Sequence, residues 1–139
     1  WTTATNWEGI LDKPYSHHAM THSISRHLEQ LLVLDRFHVA AFTRLLERMD
    51  KVEEANGTTL LDNTIFTLGA GMGDGTTHQY NDLPIVVAGG KNAGLQQGQH
   101  IHCQRGTPLA NLWLTHLHAL GIDAKRYADS TAGIPQLIA

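Results

Sequence analysis

Residues 64–90 read TIFTLGAGMGDGTTHQYNDLPIVVAGG, and the parsing of this stretch decides the fold. Residues 64–70, TIFTLGA, form a short apolar run rich in β-branched and aromatic side chains, the composition of a strand. Residues 83–90, LPIVVAGG, form a second. Both runs are nearly continuous in apolar residues, the pattern of strands covered on two faces. Between them the segment 68–78, LGAGMGDGTTH, carries glycines at 69, 71, 73 and 75, then Asp74 and His78. It invites three readings: a phosphate cradle, a metal site, or a turn.

The phosphate reading fails on its neighbours. A dinucleotide fingerprint needs G-x-G-x-x-G between a strand and a helix. Gly69 and Gly71 fit, but the third glycine position falls on Asp74. The following TTHQYNDLP does not open a helix whose N-terminus could face a phosphate. The Gly-Lys-Ser/Thr of a Walker loop is absent. The metal reading has more support, because α/β folds place their sites at the carboxyl ends of buried strands. Asp74 and His78 are suitable ligand types there, with Asp82 close behind. His17, His18 and His22 form a second group upstream. His18 and His22 are four residues apart and share one face of a helix that starts early enough. The turn reading stands beside it, since Asp74-Gly75 is also a common turn dipeptide.

Upstream, residues 20–54 carry apolar side chains at three-to-four spacing, from Ile24 and Leu28 to Leu46 and Met49. This predicts one long helix, or two with a bend near Leu34-Asp35, capped by Thr21 or Ser23 and stopped at Asn56-Gly57. Residues 1–16 lack a period and form an irregular lead-in. Downstream, 57–63 is a connector and KNAG (91–94) a turn. LQQGQHIHC (95–103) alternates like an edge strand or hairpin arm. Thr107-Pro108 opens a helix with Leu109, Leu112, Trp113, His116 and Leu120 as its apolar face, and Gly121 ends it. The tail, 122–139, is irregular. The order predicts a single α/β layered domain over 17–139. Its few strands fit a portion of a larger domain.

Composition narrows the function. The chain has 139 residues, a net charge of −3 with His neutral, and no Lys/Arg run, so a nucleic-acid partner is not expected. Nothing approaches the roughly 18 consecutive apolar residues of a membrane span. The single cysteine, Cys103, excludes an internal disulfide and gives no sign of a Cys-based metal site. No G-x-S-x-G nucleophile elbow occurs. Asn56-Gly57-Thr58 matches the glycosylation sequon. Of the ten histidines, His27, His38, His100, His102, His116 and His118 are read as structural or solvated.

Several segments together resemble a known family. They are RFHVAAFTRLLERMDKV (36–52), GTTLLDNTIFTLGAGMGDGTTHQYNDLPIVVAGG (57–90), GQHIHCQRGTPLANLWLTHLHALGI (98–122) and ADSTAG (128–133). The pattern is similar to the C-terminal part of a bacterial secreted domain-of-unknown-function family, family 1552, over roughly residues 15–134. That family resembles the alkaline phosphatase and sulfatase-like superfamily. The resemblance implies the C-terminal portion of an α/β/α layered fold, with a long helix, a few mostly parallel buried strands and a hairpin arm. It implies an exported, extracytoplasmic protein related to metal-dependent phosphate or sulfate ester hydrolases. It further implies that the chain is a piece whose partner is its missing N-terminal half, another subunit or itself. Divalent Zn, Mn, Ca or Mg would be the cofactor, with His22, Asp74, His78 and His18 as ligands. The departure is at Gly71 and Met72, which stand where the superfamily loop has its Asp-His ligand pair. Glycine has no side chain, and methionine is a poor ligand for such metals. The resemblance therefore also carries an alternative, a non-catalytic structural or binding protein that keeps the fold.

Overall fold

A computed structural model describes residues 7–13 and 15–138. Residues 1–6 and Pro14 of the expected lead-in lie outside the described residues. The chain mixes helix and sheet: α1 (His17–Thr21), α2 (Ile24–Asp50), β1 (Ile65–Gly69), β2 (Ile85–Gly89) and α3 (Ala110–Ala119). Two 3-10 turns, Lys91–Ala93 and Pro135–Leu137, complete the regular structure. Two compact units emerge, Trp1–Leu45 with Gly69–Pro84, and Leu46–Leu68 with Ile85–Ala139. No helix among the described residues is long and apolar enough to cross a membrane.

The first unit is built on the front of α2. Leu34 is 0% exposed and packs with Met20 and Leu31. Trp7, Ile10, Leu11 and Tyr15 cover this cluster from the preceding segment. The amides of Ile10 and Leu11 both donate to the Trp7 carbonyl at 2.9 Å, which curls the segment against the helix. The helical break falls at His27 (φ −128°, ψ 19°), rather than near Leu34-Asp35. Its ring lies 5.5 Å from that of Tyr15, edge to face. A tertiary contact marks this break, and the sequence carries no breaker residue there. A short helix precedes the long one: Ser16 caps α1 by accepting from the Ala19 amide, and α2 starts at Ile24, directly after the expected Ser23. Leu28 and Val39 on α2 stay 53% and 54% exposed.

In the second unit α2 ends at Asp50, short of the expected Asn56-Gly57 stop. The chain instead turns back on itself. Leu60 N–H donates to Val52 O and Glu54 N–H to Thr58 O, both at 2.8 Å, around an antiparallel Glu53–Thr59 bridge. Asn56 Oδ1 accepts from both the amide and the hydroxyl of Thr58 and closes this turn.

The two strands lie where the apolar runs placed them, and they pair antiparallel, not parallel. Just past the strand ends, the Ala70 amide donates to Pro84 O at 3.3 Å. Parallel neighbours need a long crossover, commonly a helix, and residues 70–84 contain none. Neither strand is fully covered: no residue of β1 is fully buried, and Val86 on β2 is 50% exposed. The two-faced burial expected from their composition is therefore corrected. The core of this unit is Leu95, Leu112 and Leu137, with Ile65, Ile85, Val87, Ile101 and Trp113 packed around it.

The expected hairpin arm at 95–103 reduces to one bridge, Leu95 with Ile138. Its polar side chains bond backbone carbonyls elsewhere in place of a ladder: Gln97 Nε2 donates to Gly89 O at the end of β2, and Gln99 Nε2 to Gln136 O in the last 3-10 turn. Gly98, at φ +75°, breaks the extended path. Helix α3 starts at Ala110, later than Thr107-Pro108, and has no side-chain cap. It ends as expected at Gly121. The Gly121 amide donates to His118 O and the Ile122 amide to Leu117 O, a Schellman closure around a glycine at φ +77°. Its buried face is Ala110, Asn111, Leu112, Leu114 and Thr115, while Leu109 and Leu120 stay exposed. The face shifts because Asn111 and Thr115 bond the tail. Asn111 Oδ1 accepts from the Thr131 amide at 2.9 Å, and Thr115 Oγ1 from the Ile134 amide at 2.7 Å.

Candidate metal centre

The site forms within the first unit, from α1 and the loop after β1. Ser16 holds the start of α1, and the helix sets His18 and His22 on one face. His22 is still helical at the C-cap (φ −79°, ψ −3°), so the four-residue spacing keeps its meaning. The two rings lie 4.7 Å apart, edge to face.

The loop reaches this pair through its turn residues. Asp74 Oδ1 accepts from the Thr76 amide at 2.8 Å, and Oδ2 accepts from the Thr77 hydroxyl. The Thr77 hydroxyl, followed by the Thr76 amide, holds the Asp74 carboxyl below the usual carboxylate range. Gly73 N–H donates to Gln79 O, and Gln79 N–H to Asp74 O, which closes a small antiparallel bridge. The Thr76 hydroxyl then donates to Thr21 O at 2.9 Å and fastens the loop to the end of α1. Glycine is required at the contact, because a Cβ on Gly75 would sit 2.8 Å from Thr21 Cβ. At Gly73 a Cβ would sit 1.9 Å from the Asn81 carbonyl oxygen.

His78 follows this turn in the left-handed region (φ +55°), rare for a residue with a Cβ. Its ring centroid lies 4.9 Å from His22 and 6.4 Å from His18. Three imidazoles from segments far apart in sequence thus share one exposed patch. His22 meets both other rings edge to face while His18 and His78 lie near parallel, and no three His, Cys, Asp or Glu side chains among the described residues converge their ligand atoms on one point as they stand. A shared ion requires the imidazoles to turn their nitrogens inward.

Of the expected ligands, the structure gathers His18, His22 and His78. Asp74 is engaged as the brace of the loop, with both carboxylate oxygens accepting loop hydrogen bonds. His17 points elsewhere, with its ring 6.4 Å from Trp7. Gly71 and Met72 are exposed, and a Cβ on Gly71 would meet nothing within 4 Å. Thr21, Thr76 and Thr77 escape sequence reading as site residues. The Asp-Gly-Thr-Thr run did carry a signal, since Asp and Thr side chains commonly bond the backbone of tight turns.

The other histidines sit in structural or exposed places. His38 packs on Trp7 and Phe37, and His118 bonds the Ala124 carbonyl through Nε2 at 2.7 Å. His116 stacks edge-on against Trp113, and burial lowers its pKa. His100, His102 and Cys103 are exposed. Comparison with known proteins yields no match to any family model, curated protein or solved structure.

Proposed function

We propose that the chain is a metal-holding domain related to metal-dependent hydrolases of phosphate or sulfate esters, with a reduced metal site built on His18, His22 and His78. The observation that supports this most is the meeting of three imidazoles across α1 and the loop after β1, with centroids 4.7, 4.9 and 6.4 Å apart. A bound divalent ion would polarise an ester oxygen or lower the pKa of its water. The likeness of segments 36–52, 57–90, 98–122 and 128–133 to the secreted family 1552 supports the same class and an extracytoplasmic location. The exposed apolar side chains of α2, Leu28 and Val39 among them, support a covering partner subunit or second copy as part of this reading.

A second reading, a non-catalytic binding or structural protein, is favoured by Gly71 and Met72. Two-metal ester hydrolysis clamps both the attacking and the leaving oxygen. Gly71 offers no ligand, and Met72 is 42% exposed.

The test is metal analysis of the purified protein after dialysis, alongside hydrolysis of aryl phosphate and aryl sulfate esters. Near-stoichiometric metal that is lost in His22→Ala, with ester hydrolysis lost in the same variant, is the expected outcome. Stoichiometric metal without hydrolysis selects the second reading. Absence of bound metal, even after reconstitution, sinks the metal site.

A further inference from the structure

We infer that His18, His22 and His78 hold a single borderline divalent ion of the Zn(II), Co(II) or Ni(II) class, with Asp74 outside the coordination shell and one side of the ion open to solvent. This rests on the metal-binding reading above and narrows it to one class of ion. The donor set decides the class. Magnesium and calcium are held by oxygen ligands, whereas imidazole suits zinc, nickel and copper. Of the two carboxylates between the strands, Asp74 and Asp82, the one in the turn that presents His78 is Asp74, and it already accepts from the Thr76 amide and the Thr77 hydroxyl. Ligating an ion would compete with the two hydrogen bonds by which this carboxylate shapes the turn that presents His78.

The spacing fits the same ion. Zinc–imidazole bonds of about 2.0–2.1 Å at tetrahedral angles place ring centroids roughly 5 Å apart. The His18–His22 and His22–His78 separations, 4.7 and 4.9 Å, already meet this. The His18–His78 separation of 6.4 Å exceeds it, so ion binding draws these two rings together. The Thr76–Thr21 hydrogen bond, 2.9 Å, ties the loop to α1 and keeps that movement small. All three histidines are exposed, which leaves a fourth position for water or an oxyanion. Three protein ligands with an open position is the arrangement of catalytic zinc sites rather than structural ones.

The test uses the metal-free protein in the Cys103→Ser background, so that the exposed thiol does not contribute. Co(II) is titrated in and followed by its visible absorption, then Zn(II), Mg(II) or Ca(II) is added as competitor. The expected result is one Co(II) per chain with a tetrahedral-type spectrum, displaced by equimolar Zn(II) and unaffected by millimolar Mg(II) or Ca(II). His22→Gln and His78→Gln, each shown folded by circular dichroism, should weaken Co(II) binding more than the ~10–100-fold that an outer-shell loss costs. Asp74→Asn, whose Oδ1 still accepts from Thr76, should stay within about 10-fold of the parent. Displacement by millimolar Mg(II) or Ca(II), or an Asp74→Asn loss as large as that of His78→Gln, overturns this inference and leaves the metal-binding reading standing. Failure of every ion to bind overturns both.

Discussion

At the scale of single residues, the glycines of the loop after β1 have unequal roles. Gly75 seats the loop against Thr21, and Gly73 passes the Asn81 carbonyl, so neither position has space for a methyl group. Gly71 faces open space. Gly75→Ala is expected to cost about 1–3 kcal/mol, the usual range for forced overpacking. Gly71→Asp is expected to stay within about 0.5 kcal/mol, as at an unconstrained surface position. Urea denaturation of the two variants checks this, and equal losses would show that the loop does not seat on α1. The sequence showed the Gly-Asp-Gly-Thr-Thr run but not this inequality. A glycine's reason for being small is the atom opposite it, which comes from elsewhere in the chain.

At the scale of elements, the strands and the two main helices were legible, because hydrophobic period and turn residues are local signals. The direction of strand pairing and the buried face of α3 were not. Of the face expected at Leu109, Leu112, Trp113, His116 and Leu120, Leu112 is buried and Trp113 packs on the core, Leu109 and Leu120 are exposed, and Asn111 and Thr115 are buried instead, 5% and 1% exposed. Each compensates its burial with tail hydrogen bonds, Asn111 to Thr131 and Thr115 to Ile134. Asn111→Ala removes the part-buried acceptor of the Thr131 amide and should cost about 0.5–1.5 kcal/mol. Hydrogen exchange should locate that loss at residues 131–134. Protection there equal to the parent would remove Asn111 as the tail's anchor. The hairpin arm failed for a related reason: Gln97 and Gln99 alternate like a strand, yet their side chains bond the backbone carbonyls of Gly89 and Gln136.

At the scale of the whole molecule, acid should weaken the fold in two steps. Burial lowers the pKa of His116 from its ordinary 6.5. The unfolded chain therefore binds that proton more readily, and stability falls as pH drops from about 6.5 towards the folded value. Asp62 is held below the ordinary 3.8, first by the Thr59 amide, and Asp74 likewise by the Thr77 hydroxyl. Their contribution is complete above the ordinary carboxylate value and is lost as pH falls through their lowered folded values. Chemical denaturation across pH 3–8 should show both losses, and His116→Gln should remove only the upper one. An upper step that persists in this variant would assign it to another histidine.

The sequence by itself determined that the two strands and the two main helices form, and their places to within several residues, because these follow from short-range pattern. It also determined the absence of an internal disulfide, since there is one cysteine. It named all three histidines of the candidate site without a way to gather them. Tertiary structure alone decided that His18, His22 and His78 meet while Asp74 braces the loop. The physical reason is range. A period of 3.6 or 2 is written in neighbouring residues, whereas the meeting of His22 with His78 depends on the Thr76–Thr21 hydrogen bond between segments 55 residues apart.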